Sequence, residues 1–98
     1  MTLEAFKETL TLSEPPVAFS VHLKALWYDA KGNWQRAHDL IDQLTDAISA
    51  HVHAYLHRKE GDRWNAQYWY NRADQPMPQH SLDEEWEDLF YKLRVASC

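Results

Sequence analysis

Apolar residues recur every three or four positions along almost the whole chain, which is the spacing of amphipathic helices and not of strands. The stripes predict a single all-α domain over 1–98, with about six helices and connections short enough to make neighbouring helices antiparallel. We expect an N-terminal capping helix within 1–12, a first helix pair over 17–44, a second pair over 46–73 and a C-terminal capping helix over 81–96.

Helix-breaking and helix-capping residues mark most of these boundaries. Pro15 and Pro16 predict the start of the second helix, because the first turn of a helix tolerates proline. Gly32 and Gly61 are the two glycines of the chain, and each is expected to end a helix in the left-handed conformation. The expected N-cap residues are Asn33, Thr45 or Asp46, Asp62, and Ser81 in a capping box with Glu84.

Two stretches of the chain repeat without a gap at an offset of 29 residues. The repeated residues are Ala25, Gly32 and Ala37 in the first copy and Ala54, Gly61 and Ala66 in the second. Together with Trp34 and Tyr70, they resemble the tetratricopeptide family and its Sel1-like relatives. The resemblance implies antiparallel, tetratricopeptide-like helix pairs in one compact right-handed array. The period is shorter than the family's, which is about 34 residues, and two copies are fewer than the three usually needed for stability.

The segments 53–62 (HAYLHRKEGD) and 65–73 (NAQYWYNRA) also resemble a family of small bacterial proteins with no assigned activity. In tetratricopeptide-like proteins the first helix of each pair lines the concave surface. By that resemblance, a binding groove would be lined by Lys24, Tyr28, Lys31, His53, His57 and Glu60. The implied function is a protein–protein interaction module, which binds a protein or peptide partner or a second copy of itself. Ordinary solvated or packing residues are the other interpretation of these positions.

Two histidines give a second functional hypothesis. His53 and His57 are four residues apart and project from one helix face, and Glu60 follows one turn later. This spacing supplies part of a zinc or iron site, although the His-Glu-x-x-His order of metalloproteases is absent. The candidates for a third ligand are His38, Asp42 and His51. The alternative function is therefore a metal- or small-ligand-binding domain that could act as an enzyme, unless these histidines only bond to their neighbours.

The run Tyr68-Trp69-Tyr70 places large rings on more than one side of a helix. Trp69 and Tyr70 are expected in the core. Tyr68, with Trp64 one turn earlier, forms a second aromatic edge, which we expect to pack under Trp86 or Phe90 of the last helix. An exposed surface for self-association or ligand binding is the alternative.

Composition excludes several classes of function. The formal net charge of −5 disfavours nucleic-acid binding, which needs clustered lysines and arginines. No window approaches the ~20 apolar residues of a membrane span, and the N-terminus lacks the pattern of a signal peptide, which predicts a cytoplasmic protein. Cys98 is the single cysteine, so no intramolecular disulfide forms. No catalytic serine context or phosphate-binding glycine loop occurs, and no cofactor is expected.

Overall fold

The computed structural model describes the backbone of residues 1–96 and the side chains of residues 1–94, so Cys98 lies outside the described residues. Six α-helices occur in this part of the chain and no strand. They are α1 (Leu3–Glu8, continued by a 3-10 turn at Thr9–Thr11), α2 (Val21–Ala30), α3 (Trp34–Ile41), α4 (Ala47–Glu60), α5 (Arg63–Ala73) and α6 (Leu82–Ala96). The all-α fold class and the number of helices are confirmed.

The turns at Gly32 and Gly61 have the same geometry. The two glycines have φ angles of 82° and 89°, in the left-handed region. In both turns the amide after the glycine donates to the carbonyl five residues earlier at 2.9 Å, as in a Schellman motif. The side chains of Asn33 and Asp62 then cap the next helix by accepting from the amide three residues on, at 3.1 and 3.2 Å. The predicted terminators and caps of both hairpins are therefore confirmed.

The two hairpins pack α2 against α3 and α4 against α5. All four repeated alanines are fully buried, which allows the paired helices to approach closely because a methyl group occupies little space between them. The hairpins are joined to each other through Trp34, whose indole N–H donates to the Leu56 carbonyl at 2.7 Å. This bond places α3 beside the middle of α4.

The last helix closes the domain over the surface that α2 and α4 share. Trp86, Leu89, Phe90 and Leu93 of α6 join the main core, and the Trp86 indole donates to the Leu26 carbonyl at 3.3 Å. α1 packs on α6, with the Phe6 and Phe90 rings 5.1 Å apart. The capping box of α6 forms as expected between Ser81 and Glu84, each backbone amide donating to the other side chain.

The predicted start of the second helix at the two prolines is wrong. α2 begins at Val21, because Ser20 is its N-cap and accepts from the amide of Leu23 at 3.2 Å. A residue that precedes proline is disfavoured in the helical conformation, which holds for both Glu14 and Pro15. The first pair therefore spans 21–41 and not 17–44.

Candidate metal centre

Three histidines from two helices meet between α3, α4 and α5, and we call them the histidine cluster: His38, His53 and His57. One ring nitrogen of each lies within 4.8 Å of one ring nitrogen of the others. The Nε2 atoms of His38 and His53 are 2.9 Å apart, so that one ring donates and the other accepts. The rings of His53 and His57 stack with centroids 4.8 Å apart. The cluster thus gathers three potential ligands of one ion.

Local helix geometry explains two of these positions and a tertiary bond explains the third. His53 and His57 lie one turn apart on α4, so they share a face. His38 lies one turn after Trp34 on α3, and the bond from Trp34 to the Leu56 carbonyl holds that turn beside α4. The structure therefore selects His38 as the third member of the cluster.

Two tryptophans form the walls of the cluster. The Trp34 ring stacks on His38 with centroids 4.8 Å apart and an interplanar angle of 12°. The Trp69 ring, from α5, stacks on His53 at 4.0 Å and 15°. His53 is left with 3 % of its surface exposed. The walls hold the imidazole planes in place and exclude most water from the middle of the cluster.

Carboxylates surround the cluster at its rim. Glu60 lies 2.6 Å from Nδ1 of His57, and Asp42 lies 3.8 Å from Nε2 of His38. An ionised Glu60 only accepts hydrogen bonds, so the His57 proton belongs on Nδ1 and the lone pair on Nε2. His57, Glu60 and Asp62 also form a second group of potential ligand atoms, all within 4.8 Å of one another.

The middle histidine is held in its neutral form. Burial and, to a lesser extent, the neighbouring rings of His38 and His57 together lower the pKa of His53 to about 4, against an opposing effect of Asp42. Its Nδ1 atom is buried and has no hydrogen-bond partner among the described residues. A buried polar atom without a partner is destabilising, which makes this nitrogen an exception that needs an explanation.

The residues present fit a transition-metal ion. Neutral imidazoles bind zinc, copper and nickel, and a metal 2.0–2.1 Å from each nitrogen requires nitrogens roughly 3.3 Å apart. The pair at 2.9 Å would open slightly around such an ion, and the third ring would move inward. Glu60 would act as the outer partner of His57, because a ligating histidine usually donates its other N–H to a carboxylate or carbonyl.

The sequence-predicted metal residues His53, His57 and Glu60 come together as described above. Of the candidates for a third ligand, His38 joins them and Asp42 lies at the rim. His51 instead projects to another side of α4, where its Nδ1 meets Nζ of Lys92 at 2.8 Å.

The other half of the predicted groove has different neighbours. Lys31 donates to the carbonyls of Leu10 and Leu12 at 2.7 and 3.2 Å and so fastens the N-terminal segment. The guanidinium of Arg36 lies over the Tyr28 ring at 5.4 Å. No hydrogen bond, ion pair or ring contact in the described part of the chain joins Lys24, Tyr28 or Lys31 to the cluster. The shared groove stays a prediction.

The second aromatic edge does not pack under α6, contrary to the expectation. Trp64 is 79 % exposed and Tyr68 is 45 % exposed. Trp86 and Phe90 instead contact Phe6, because α6 lies mainly over α2 and α4. Tyr70 is fully buried as predicted, and Trp69 is half-buried against His53.

Sequence reasoning missed the two walls of the cluster. The spacing of Trp34 and His38, four residues apart, could have indicated that their rings stack. The contact of Trp69 with His53 joins two helices and has no comparable local signal.

No described helix has an apolar stretch long enough to cross a membrane. No family model, no curated protein and no solved structure matches the chain.

Proposed function

We propose that this protein binds one divalent transition-metal ion, such as Zn²⁺, through His38, His53 and His57. The observation that carries the proposal is the convergence of three imidazoles from two helices, with one ring nitrogen of each within 4.8 Å of the others. A metal ion would replace the bond between Nε2 of His38 and Nε2 of His53 and would draw in His57 as the third ligand.

The chemistry of the ligand set supports this proposal. Metal binding requires deprotonated ligands, and burial already keeps His53 neutral. Glu60 orients His57 with Nε2 free to coordinate. Three protein ligands leave one position of a tetrahedral ion for water or a substrate, as in catalytic zinc sites. A binding role is therefore the minimum function, and hydrolytic chemistry is compatible with it.

Titration of tag-free, metal-free protein with Zn²⁺ tests the proposal. We expect one equivalent to bind with a Kd below about 10 µM, and His38→Asn or His57→Asn to weaken binding at least about tenfold. His80→Asn is the matched control, because His80 lies outside the cluster and pairs with Asp88. Binding weaker than this limit, or equal losses in the control, would contradict the proposal.

A second function, self-association, is favoured by the exposed edge of α5. Trp64, Tyr68 and Arg72 follow one another at one-turn intervals, and all three are exposed. An antiparallel pair of α5 helices with Tyr68 on a two-fold axis would place each Trp64 against the partner's Arg72. This contact is self-complementary, as a symmetric dimer requires, and pairs an indole with a guanidinium. We therefore propose a second copy of the chain as the occupant of this edge.

Light scattering after size exclusion tests the dimer separately from the metal. We expect the wild-type protein to reach the mass of a dimer within a concentration range that extends to about 500 µM. Trp64→Ala should keep the mass of a monomer over the same range. Tyr91→Ala removes another exposed aromatic ring, from α6, and should leave the mass unchanged. A wild-type monomer over the whole range would contradict self-association without affecting the metal proposal.

A further inference from the structure

A second polar site lies on another side of α4, away from the histidine cluster. A cavity of about 470 Å³ opens between α4, the 74–81 loop and α6. Its walls include the rings of Pro76 and Pro78 and the side chains of His51 and Lys92. His51 and His53 are two residues apart, so they project to different sides of the helix. The cavity is thus independent of the proposed metal site.

Lys92 is a half-buried cation in the wall of this cavity. Its Nζ lies 2.8 Å from Nδ1 of His51. An ammonium group only donates, so Nδ1 of His51 is the acceptor and the ring carries its proton on Nε2, which is 3.7 Å from Glu85. His51 therefore holds the ammonium in place without neutralising its charge.

The carboxylates near the cavity are engaged elsewhere. Glu85 accepts from Arg58 at 2.8 Å and from the hydroxyl of Tyr70. Asp88, one turn before Lys92, lies 3.0 Å from His80. Lys92 forms no ion pair with any described residue. Burial lowers its pKa, as expected for an ammonium that is partly desolvated without a counter-ion. Among the described residues, Lys92 is thus a cation in the cavity wall that has no carboxylate within ion-pair distance.

We propose that this cavity binds a small monocarboxylate with a short apolar tail. The carboxylate would accept from the Lys92 ammonium, which has N–H groups to spare after its bond to His51. The tail would lie against the rings of Pro76 and Pro78. A phosphate dianion fits less well, because it would bring two negative charges to one cation beside Glu85 and Asp88.

Titration with butyrate, followed by the NMR signals of His51 and its neighbours, tests this site. We expect saturable shifts with a Kd below about 10 mM, which is reasonable for a ligand of six heavy atoms. The neutral isostere butyramide should not saturate in this range, and inorganic phosphate should bind more weakly than butyrate. Lys92→Gln should weaken butyrate binding at least about tenfold, whereas Lys24→Gln, a half-buried lysine outside the cavity, should not.

Each other outcome overturns the proposal or its ligand class. The absence of saturable butyrate binding, or equal binding of butyramide, would show that the charge of Lys92 attracts no ligand. Tighter binding of phosphate than of butyrate would mean that the cavity binds phosphates and not carboxylates. Unchanged affinity in folded Lys92→Gln would place the ligand elsewhere. If that variant does not fold, the comparison of butyrate with butyramide on the wild-type chain still decides.

Discussion

Two clusters of buried ionisable groups contact α4, and they differ in whether their buried polar atoms have hydrogen-bond partners. In the first, which we call the Glu85 network, a carboxylate with 3 % of its side chain exposed is surrounded by Arg58, Tyr70 and His51. In the histidine cluster, three bases lie together and the most buried one has an unpaired nitrogen. The first is a completed structural network, and the second gathers three potential ligand atoms within 4.8 Å of one another.

The pKa shifts follow the same division. Burial opposes ionisation of Glu85, but the donors His51, Tyr70 and Arg58 outweigh it, so the pKa of Glu85 is lowered and the carboxylate stays charged. For His53, burial and the adjacent histidines act in the same direction, against protonation. A buried group with a satisfied charge contributes to the fold, whereas a buried base that is held neutral beside other bases is suited to bind an ion.

The largest effect is expected from breaking the Glu85 network. Arg58→Met leaves the Glu85 carboxylate buried without its cationic partner and should lower the free energy of unfolding by about 3–5 kcal/mol. Urea denaturation at neutral pH measures this loss. Arg36→Met is the control, because Arg36 is exposed over the Tyr28 ring and should cost less than about 1 kcal/mol. Equal losses in the two variants would mean that Arg58 does not stabilise a buried charge at Glu85.

A smaller effect is expected from acidifying the metal-free protein. The pKa of His53 is about 4 in the folded chain and about 6.5 when unfolded, so the unfolded state binds more protons between these values. The contribution of neutral His53 to the free energy of unfolding is complete above pH 6.5. It is lost as the pH falls toward 4, by up to about 3 kcal/mol. Unfolding in urea with a chelator present, at a series of pH values, measures this slope.

His53→Phe separates this slope from other titrations. The ring of phenylalanine can keep the stack on Trp69 but cannot be protonated, so the variant should lose most of the dependence between pH 6.5 and 4. The lowered pKa of His22 acts in the same direction and remains in both proteins. An unchanged slope in His53→Phe would mean that His53 is not held neutral by its surroundings.

The hairpins show which features a sequence specifies locally. Gly61 and Asp62 end one helix and cap the next through bonds within six residues, so their roles follow from residue type and spacing. Pro15 and Pro16 carried a comparable signal, but the chain uses Ser20 as the cap and packs Phe19 on Phe6. The start of α2 is therefore set by a serine cap that the proline signal did not point to.

In the candidate site, too, residue spacing predicts contacts within one helix but not contacts between helices. The pairing of His53 with His57 is a property of one helix, and the sequence predicts it directly. The addition of His38 depends on how α3 lies on α4, which the indole of Trp34 fixes through a bond to another helix. The exposure of Trp64 likewise depends on where α6 docks. Contacts between helices were therefore the part that residue spacing could not supply.

Metal addition should stabilise the protein by about as much as acidification of the metal-free protein destabilises it. At Zn²⁺ concentrations near 100 times Kd, binding to the folded state alone adds about 2.7 kcal/mol to the free energy of unfolding. For a domain of this size, the melting temperature should rise by roughly 10 °C or more, and a chelator should reverse the rise. His57→Asn should abolish the shift and Arg58→Met should retain it, because Arg58 belongs to the other cluster.

The smallest effect is expected at the rim of the histidine cluster. Glu60→Gln keeps a hydrogen-bonding group beside His57 but removes the carboxylate that fixes its proton on Nδ1. We expect the metal-free protein to change in stability by less than about 0.5 kcal/mol, because Glu60 is exposed and surface ion pairs contribute little. Zn²⁺ affinity should nevertheless fall by about tenfold, as for other outer partners of ligating histidines.

Glu4→Gln is the matched control, since it removes an exposed carboxylate from α1, far along the chain from the cluster. It should lower the stability by less than about 1 kcal/mol, because Glu4 lies in the first turn of α1, and it should leave the Zn²⁺ affinity unchanged. A large loss of stability in Glu60→Gln with unchanged metal affinity would assign Glu60 to the fold, as Glu85 is. Unchanged stability with weaker metal binding would show that Glu60, a carboxylate bonded to a histidine on α4, serves ion binding. Burial and the number of hydrogen-bond donors would then decide whether such a carboxylate supports the fold or a ligand.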